Sequence, residues 1–215
     1  MTTNALLFFV KFPEPGKVKT RLAAEVGDDR AAAIYRELVA AVCAGLPAGC
    51  DVIVQFDPPD KMTETEQWLR PSLPAATFAP QCAGDLGARL EHAFSHAFSL
   101  GYRRLAVIGS DCVEIDADLF SNAFAQLETH DAVIGPSADG GYYLLALKTP
   151  QPALFEQIAW SSAQTLEHTL ERASGMRIAM LPQLRDVDTE SDWKIAERFL
   201  RSADRVTASG EQTAN

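Results

Sequence analysis

A chain of 215 residues, 47% hydrophobic and 22% charged, can bury one good core and is read as a single domain. Its 29 acidic against 19 basic residues give a formal charge of -10, which argues against general binding to nucleic acid or anionic membranes but not against a small anion held by a local basic patch. The cysteines, at 43, 50, 82 and 112, have neither metal-site nor disulfide spacing, and no apolar run approaches the roughly 20 residues of a membrane span, so reduced thiols, no membrane insertion and a cytoplasmic location are expected.

Taken in chain order, Ala5 to Val10 is apolar at every position, the pattern of a strand buried on both faces of a parallel sheet. Directly after it, Lys11, Lys17, Lys19 and Arg21 surround a turn fixed by Pro13, Pro15 and Gly16, and Lys19-Thr20-Arg21-Leu22 opens a helix. Ligands of open α/β sheets collect at the carboxyl ends of such strands, where helix-start N–H groups also attract anions. Lys11, Gly16, Lys17, Lys19, Thr20 and Arg21 are therefore candidate phosphate-binding residues, the alternative being an ordinary solvated loop. The Walker A pattern is absent, since Val18 follows Gly16-Lys17 and no glycine lies five residues before Gly16.

Further on, helices are predicted over 28–46, 61–69, 86–100, 118–127, 164–173 and 191–200, with strands over 52–56, 76–79, 104–109, 132–134, 142–147 and 177–181. This alternation predicts an α/β fold of three layers with a mostly parallel central sheet over residues 1–201. The polar stretch 202–215 is expected to be a disordered tail. His92 and His96 lack a third ligand or an H-E-x-x-H pattern and read as helix surface. The spacing of Trp68, Trp160 and Trp193 suggests no base-stacking platform.

The carboxylates carry the remaining chemistry. Asp111 follows the strand over 104–109 in Gly109-Ser110-Asp111-Cys112, where it could hold Mg2+ or Mn2+ or simply cap the next helix. A second metal ligand could come from Asp186 or Asp188, although Asp188 could also cap the last helix. Asp139-Gly140-Gly141 joins two strands and is open to two readings. It is a hairpin turn, or its glycines let the backbone approach a ligand while Asp139 orients or activates a hydroxyl. Gln81 to Leu90, taken alone, is an ordinary helix start with Asp85 in the first turn.

Four ordered motifs join these candidates: Lys11-x-Pro13-x-Pro15-Gly16-x-Val18-Lys19-Thr20-Arg21-Leu22, Gly109-Ser110-Asp111-Cys112, Gly135-Pro136-x-x-Asp139-Gly140-Gly141-Tyr142-Tyr143 and Asp186-Val187-Asp188-Thr189-x-x-Asp192. Together they resemble the bacterial radical-SAM/selenodomain-associated transferase 1 family, a former domain of unknown function. The resemblance implies the glycosyltransferase type A fold of nucleotide-diphospho-sugar transferases, a divalent metal, and glycosyltransferase activity, in some members linked to arsenosugar biosynthesis. It also implies that Lys19 to Arg21 form the nucleotide-phosphate loop, that Asp111 binds the metal, and that Gln81, Gly84, Asp85 and Arg89 line the nucleotide pocket. At one point the chain departs from the family, with Val113-Glu114 where a proline follows Ser-Asp-Cys, which loosens the turn after Asp111.

The expected partners are a nucleoside-diphosphate sugar or a nucleoside triphosphate and a small-molecule acceptor, with neither nucleic acid nor membrane. On this reading Lys17, Lys19 and Arg21 stabilise a diphosphate, Asp111 and Asp188 hold the metal, and Asp139 handles the acceptor. Nucleotidyl transfer on the same fold and a non-catalytic nucleotide-binding regulator are the alternatives.

Overall fold

The all-apolar run near the N terminus forms an inner strand of a seven-stranded sheet. In the computed structural model, which describes residues 3–211, β1 (Asn4–Lys11) lies between β2 (Asp51–Asp57) and β4 (Arg104–Ile108), parallel to both. The full order is β3-β2-β1-β4-β6-β5-β7, with β3 at Thr77–Pro80, β5 at Ala132–Pro136, β6 at Tyr142–Leu147 and β7 at Ile178–Met180. Every pairing is parallel except the two made by β6, which runs against both β4 and β5.

Alternation along β1 shows why the strand must be apolar throughout. Leu6 and Phe8 enter one core with Val39 and Val42 of α2 (Asp28–Gly45) and Phe120 and Phe124 of α5 (Ala117–Gln126). Ala5 and Leu7 enter the other with Leu90, Phe94 and Ala97 of α4 (Leu86–Ser99) and with Leu154 and Phe155 of a 3-10 turn (Pro152–Phe155). Each face of the sheet is thus covered, giving the three-layer α/β sandwich that the alternating pattern predicts.

A third cluster seats the basic loop. Leu22 and Ala23 of α1 (Thr20–Val26) pack against Ile34 and Leu38 of α2, Val113, Val187, and Trp193 and Ala196 of α7 (Glu190–Glu211). Gly27, with φ 85°, separates α1 from α2. The remaining helices are α3 (Met62–Leu69) and α6 (Thr165–Arg172). The backbone of α7 stays helical to Glu211, past Ser202, where composition predicts a tail, and residues 212–215 of that tail lie outside the described residues. Among the described residues no helix is long and apolar enough to cross a membrane.

Chain order sets the location of the site. From β1 the chain steps to β2 and β3 on one side, then crosses to β4 on the other, so the strand order reverses beside β1. The crevice at the carboxyl ends of strands flanking such a reversal is where open α/β sheets hold ligands.

Candidate functional site

A cavity of about 750 Å³ opens at that edge. The end of β1 supplies Lys11, the following loop and the start of α1 Lys17 to Arg21, the exit of β4 Gly109, Ser110 and Asp111, and the entry to α4 Gln81, Gly84, Asp85 and Arg89. Asp188 and Ser161 complete the rim. The structure therefore brings together residues from four separate stretches that the sequence singles out, with Tyr35 and Ser161 added. Gly16 does not line the cavity. It takes φ +76° in the turn behind it, facing the Asp28 carboxylate.

At the centre, Lys19 Nζ donates to Asp111 Oδ2 at 2.7 Å and to Asp188 Oδ1 at 2.9 Å, with its side chain only 7% exposed. Burial alone would lower the pKa of this ammonium, but the adjacent Asp111 and Asp188 carboxylates raise it above the ordinary lysine value. Arg21 Nη1 reaches the other Asp188 oxygen at 3.3 Å from a side chain that is 73% exposed. The expected diphosphate-binding lysine is thus turned onto two carboxylates, whereas Arg21 and Lys17 remain at the rim.

The loop before α7 is tied to the turn after β4 by Val187 N–H donating to the Asp111 carbonyl at 3.1 Å. Val187 is buried in the third cluster and so is Val113, so the position where the family carries proline is held here by apolar packing. Asp186 and Asp188 flank Val187. Asp188 meets Lys19, while Asp186 keeps a buried Oδ1 with no hydrogen-bond partner among the described residues. Burial first, and then the negative charges of Asp111 and Asp139, push the Asp186 carboxyl well above the usual carboxylate range.

On the opposite wall Gln81 is fully engaged. Its Nε2 donates to the Gln55 carbonyl at 2.9 Å and the Val10 carbonyl at 3.4 Å, and its Oε1 accepts from Arg89 at 3.1 Å. Arg89 also pairs with Asp57 at 3.5 Å and donates to the Gly84 carbonyl, and Asp85 caps α4 by accepting from Ala88 N–H at 2.9 Å. These bonds fix the wall before any ligand arrives. Asp139, Gly140 and Gly141 lie apart from the cavity lining, at the tip of the β5–β6 hairpin, where Asp139 Oδ1 accepts from Ser137 Oγ and from Gly141 N–H.

A family model described as "uncharacterized protein conserved in bacteria (DUF2064)" matches residues 41–162. The chain belongs to this family. A crystal structure from Desulfovibrio desulfuricans G20, provisionally assigned as a nucleotide-diphospho-sugar transferase, is 39% identical to this DUF2064 chain, with a TM-score of 0.82 over 88% of this chain and 84% of that one. Both findings agree with the resemblance carried by the four motifs. The fold recurs at 12% identity and TM-score 0.60 in 4-diphosphocytidyl-2C-methyl-D-erythritol synthase of Anaerococcus prevotii DSM 20548, over 93% of this chain and 97% of that one. It recurs again at 11% identity and TM-score 0.52 in glucosyl-3-phosphoglycerate synthase of Mycobacterium tuberculosis, solved with Mn2+, UDP and glucosyl-3-phosphoglycerate, over 86% of this chain and 71% of that one. No curated protein matches the chain.

The donor set of the DUF2064 site can be weighed against a hard divalent ion. Among the described residues no three His, Cys, Asp or Glu side chains form a cage. Mg2+ does not need one, since it is commonly held by one or two carboxylates, waters and substrate phosphates. Asp111 and Asp188 come from separate loops yet converge on the one ammonium of Lys19, which makes them the pair of carboxylates on which a small hard cation would have to be held. Three lining residues escaped the sequence reading. Tyr35 lies inside the helix predicted over 28–46 with no motif to mark it, Ser161 lies in a segment without a motif, and Ser110 stood in plain view beside Asp111.

Proposed function

We propose that this DUF2064 protein is a metal-dependent glycosyltransferase that binds a nucleoside-diphosphate sugar in the cavity between β1, β4 and α4. The observation that supports this most is the meeting of Lys11, Lys17, Lys19 and Arg21 with Asp111 and Asp188 around one crevice at the strand-order reversal. In an acidic chain, such a cluster suits a small polyanion. Asp111 and Asp188 would hold Mg2+ or Mn2+, which supplies positive charge to phosphate oxygens as a leaving diphosphate forms.

The chain's own residues do the rest. Lys19 holds the two carboxylates together and balances their charge. Arg21, already at hydrogen-bond distance from Asp188 and largely exposed, can turn to the diphosphate with Lys17, so that cations are in place before negative charge develops. The fixed wall of Gln81, Gly84, Asp85 and Arg89 receives the nucleoside. Asp139, exposed at the hairpin tip with Oδ1 engaged, has Oδ2 left to orient an acceptor hydroxyl or take its proton. The M. tuberculosis enzyme solved with Mn2+ and UDP supports the choice of metal and nucleotide by analogy of fold.

The test is incubation of the full chain with Mn2+ and a panel of nucleoside-diphosphate sugars and nucleoside triphosphates, following thermal stabilisation and released product. The expected result is stabilisation by one diphosphate sugar with slow release of nucleoside diphosphate, abolished in Asp111→Asn. Pyrophosphate released from a triphosphate would move the assignment to nucleotidyl transfer on the same fold. Nucleotide binding that is unchanged by metal and by Asp111→Asn would indicate a regulator, and no response to any nucleotide would sink the reading.

A further inference from the structure

Two uncharged hydroxyls at the cavity have no part in the chemistry above. Tyr35, on α2, is 4% exposed and Ser110, at the exit of β4, is 8% exposed, and both line the cavity. Their oxygens are 2.8 Å apart, and the Tyr35 oxygen also accepts the Lys11 backbone N–H at 2.9 Å. Lys11 N–H, Tyr35 O–H and Ser110 O–H bring three hydrogens to two bonds. Whichever hydroxyl donates across the contact, one hydroxyl hydrogen remains without a protein acceptor among the described residues. Buried donors are seldom left so, because an unmade hydrogen bond away from water is costly.

Surroundings decide where that hydrogen can go. The Tyr35 side chain is packed in the apolar core with Val10, Phe56 and Leu69 and lies beside Trp68, which leaves the cavity as the side from which an acceptor can approach. Tyr35 is the deeper of the two and its oxygen already receives the Lys11 N–H, so it is the better donor to Ser110, whose own hydrogen is then free. Ser110 adjoins Asp111, whose carboxylate carries Lys19 Nζ, so the free hydrogen lies next to the cationic part of the cavity. An oxygen that only accepts, and that is itself anionic, satisfies both features at once.

We propose that Ser110, backed by Tyr35, donates its hydroxyl hydrogen to a phosphate oxygen of the bound nucleotide. This rests on the nucleotide reading of the same cavity. In it Ser110 is a binding residue, Tyr35 is a positioning residue that fixes the direction of the donor, and the end of β1 is joined to the end of β4 beneath the ligand.

Inorganic pyrophosphate, which has neither base nor sugar, isolates this contact when titrated calorimetrically into the full chain in the presence of Mg2+. Ser110→Ala should weaken pyrophosphate binding by about tenfold, the loss expected for one hydrogen bond to a charged acceptor. Tyr35→Phe should weaken it less, the double variant no more than Ser110→Ala alone, and Ser110→Thr, which keeps the oxygen, should stay within about threefold of wild type. Melting curves accompany each titration, and if Ser110→Ala does not stay folded, Ser110→Thr and Tyr35→Phe carry the test: a loss of about tenfold in Ser110→Thr, or a Tyr35→Phe variant that binds pyrophosphate as wild type, would overturn the proposal.

The parent reading fails separately. If the wild type binds neither pyrophosphate nor any nucleoside di- or triphosphate, the nucleotide site is lost and this inference with it. If the wild type binds and Arg21→Ala weakens binding while Ser110→Ala and the double variant bind as wild type, only the role of Ser110 is overturned. A Ser110→Ala variant that binds pyrophosphate normally but a nucleoside diphosphate poorly would overturn the assignment to phosphate.

Discussion

Lys19 stands immediately before α1 with φ 46°, a left-handed conformation that disfavours any residue with a Cβ by roughly 1–2 kcal/mol. What holds it there is its pair of contacts to Asp111 and Asp188. Removing the ammonium leaves two carboxylates facing each other, each about a third exposed, so the penalty is smaller than for a fully buried pair. Lys19→Ala should lower stability by about 2 kcal/mol in urea unfolding and turnover by about a hundredfold. Lys19→Gly should lose as much turnover but about 1 kcal/mol less stability, because glycine accepts the left-handed backbone. Equal unfolding curves for the two variants would show that the conformation is not strained. Asp131 provides a contrast away from the site. The Arg177 side chain first, then its backbone N–H and Lys148, hold the Asp131 carboxyl well below its ordinary value. A carboxyl lowered in the folded state stabilises above its unfolded pKa, near 4, and the contribution is lost as pH falls through the lower folded value. Asp131→Asn should therefore melt below wild type at pH 7, with the gap closing steadily below about pH 4, where melting curves of both proteins will check it.

Between residue and molecule, the β5–β6 hairpin and the loop before α6 act as one element. Gly140 has φ +91°, its carbonyl accepts from Leu166 N–H at 2.9 Å, and a Cβ there would stand 2.2 Å from the Ala163 carbonyl oxygen. Gly140→Ala meets both an unfavourable backbone and an immovable carbonyl, and should cost about 3 kcal/mol. Gly175, at φ +87° with nothing among the described residues within 4 Å of a Cβ, separates the two effects, since Gly175→Ala should cost only about 1 kcal/mol. Urea midpoints for the two variants would expose the difference, and equal losses would remove the proposed closeness of hairpin and loop. The hairpin itself is legible in Asp139-Gly140-Gly141, but its docking on Ala163 is not, because no pattern in residues 156–164 announces a partner. The same division runs through the site. Lys19, Asp111 and the Asp186/Asp188 pair are readable because each follows an apolar strand or basic turn of distinct composition. The choice of Asp188 over Asp186 as the partner of Lys19 depends on how Val187 is buried, which is a long-range packing fact. Strand positions follow from local apolar runs, whereas the placing of β6 between β4 and β5 depends on pairings that single runs do not encode.

At the scale of the whole molecule, two fields of opposite sign act on an anionic ligand. The formal charge of -10 repels it at long range, while Lys11, Lys17, Lys19 and Arg21 attract it at the crevice. Their ranges differ. Salt screens exposed charges beyond a Debye length of about 10 Å at 0.1 M, so added salt removes the long-range repulsion before it weakens contacts inside the cavity. A site on a basic protein would lose association rate as salt rises. Here the sign should reverse, with the association rate of a nucleoside diphosphate rising modestly between about 0.02 M and 0.15 M NaCl. Dissociation should quicken over the same range as the rim contacts of Arg21 and Lys17 are screened, so the net affinity should change by less than about threefold. Stopped-flow association across that salt series decides the matter. A steep fall in association rate would mean that the basic crevice governs the far field despite the acidic surface, and the surface would then have no part in selecting a small anion over a polyanion such as duplex DNA. A rise would place that selection in the shape of the field: a large polyanion must lie across many acidic side chains to reach the crevice, whereas a diphosphate need pass only a few.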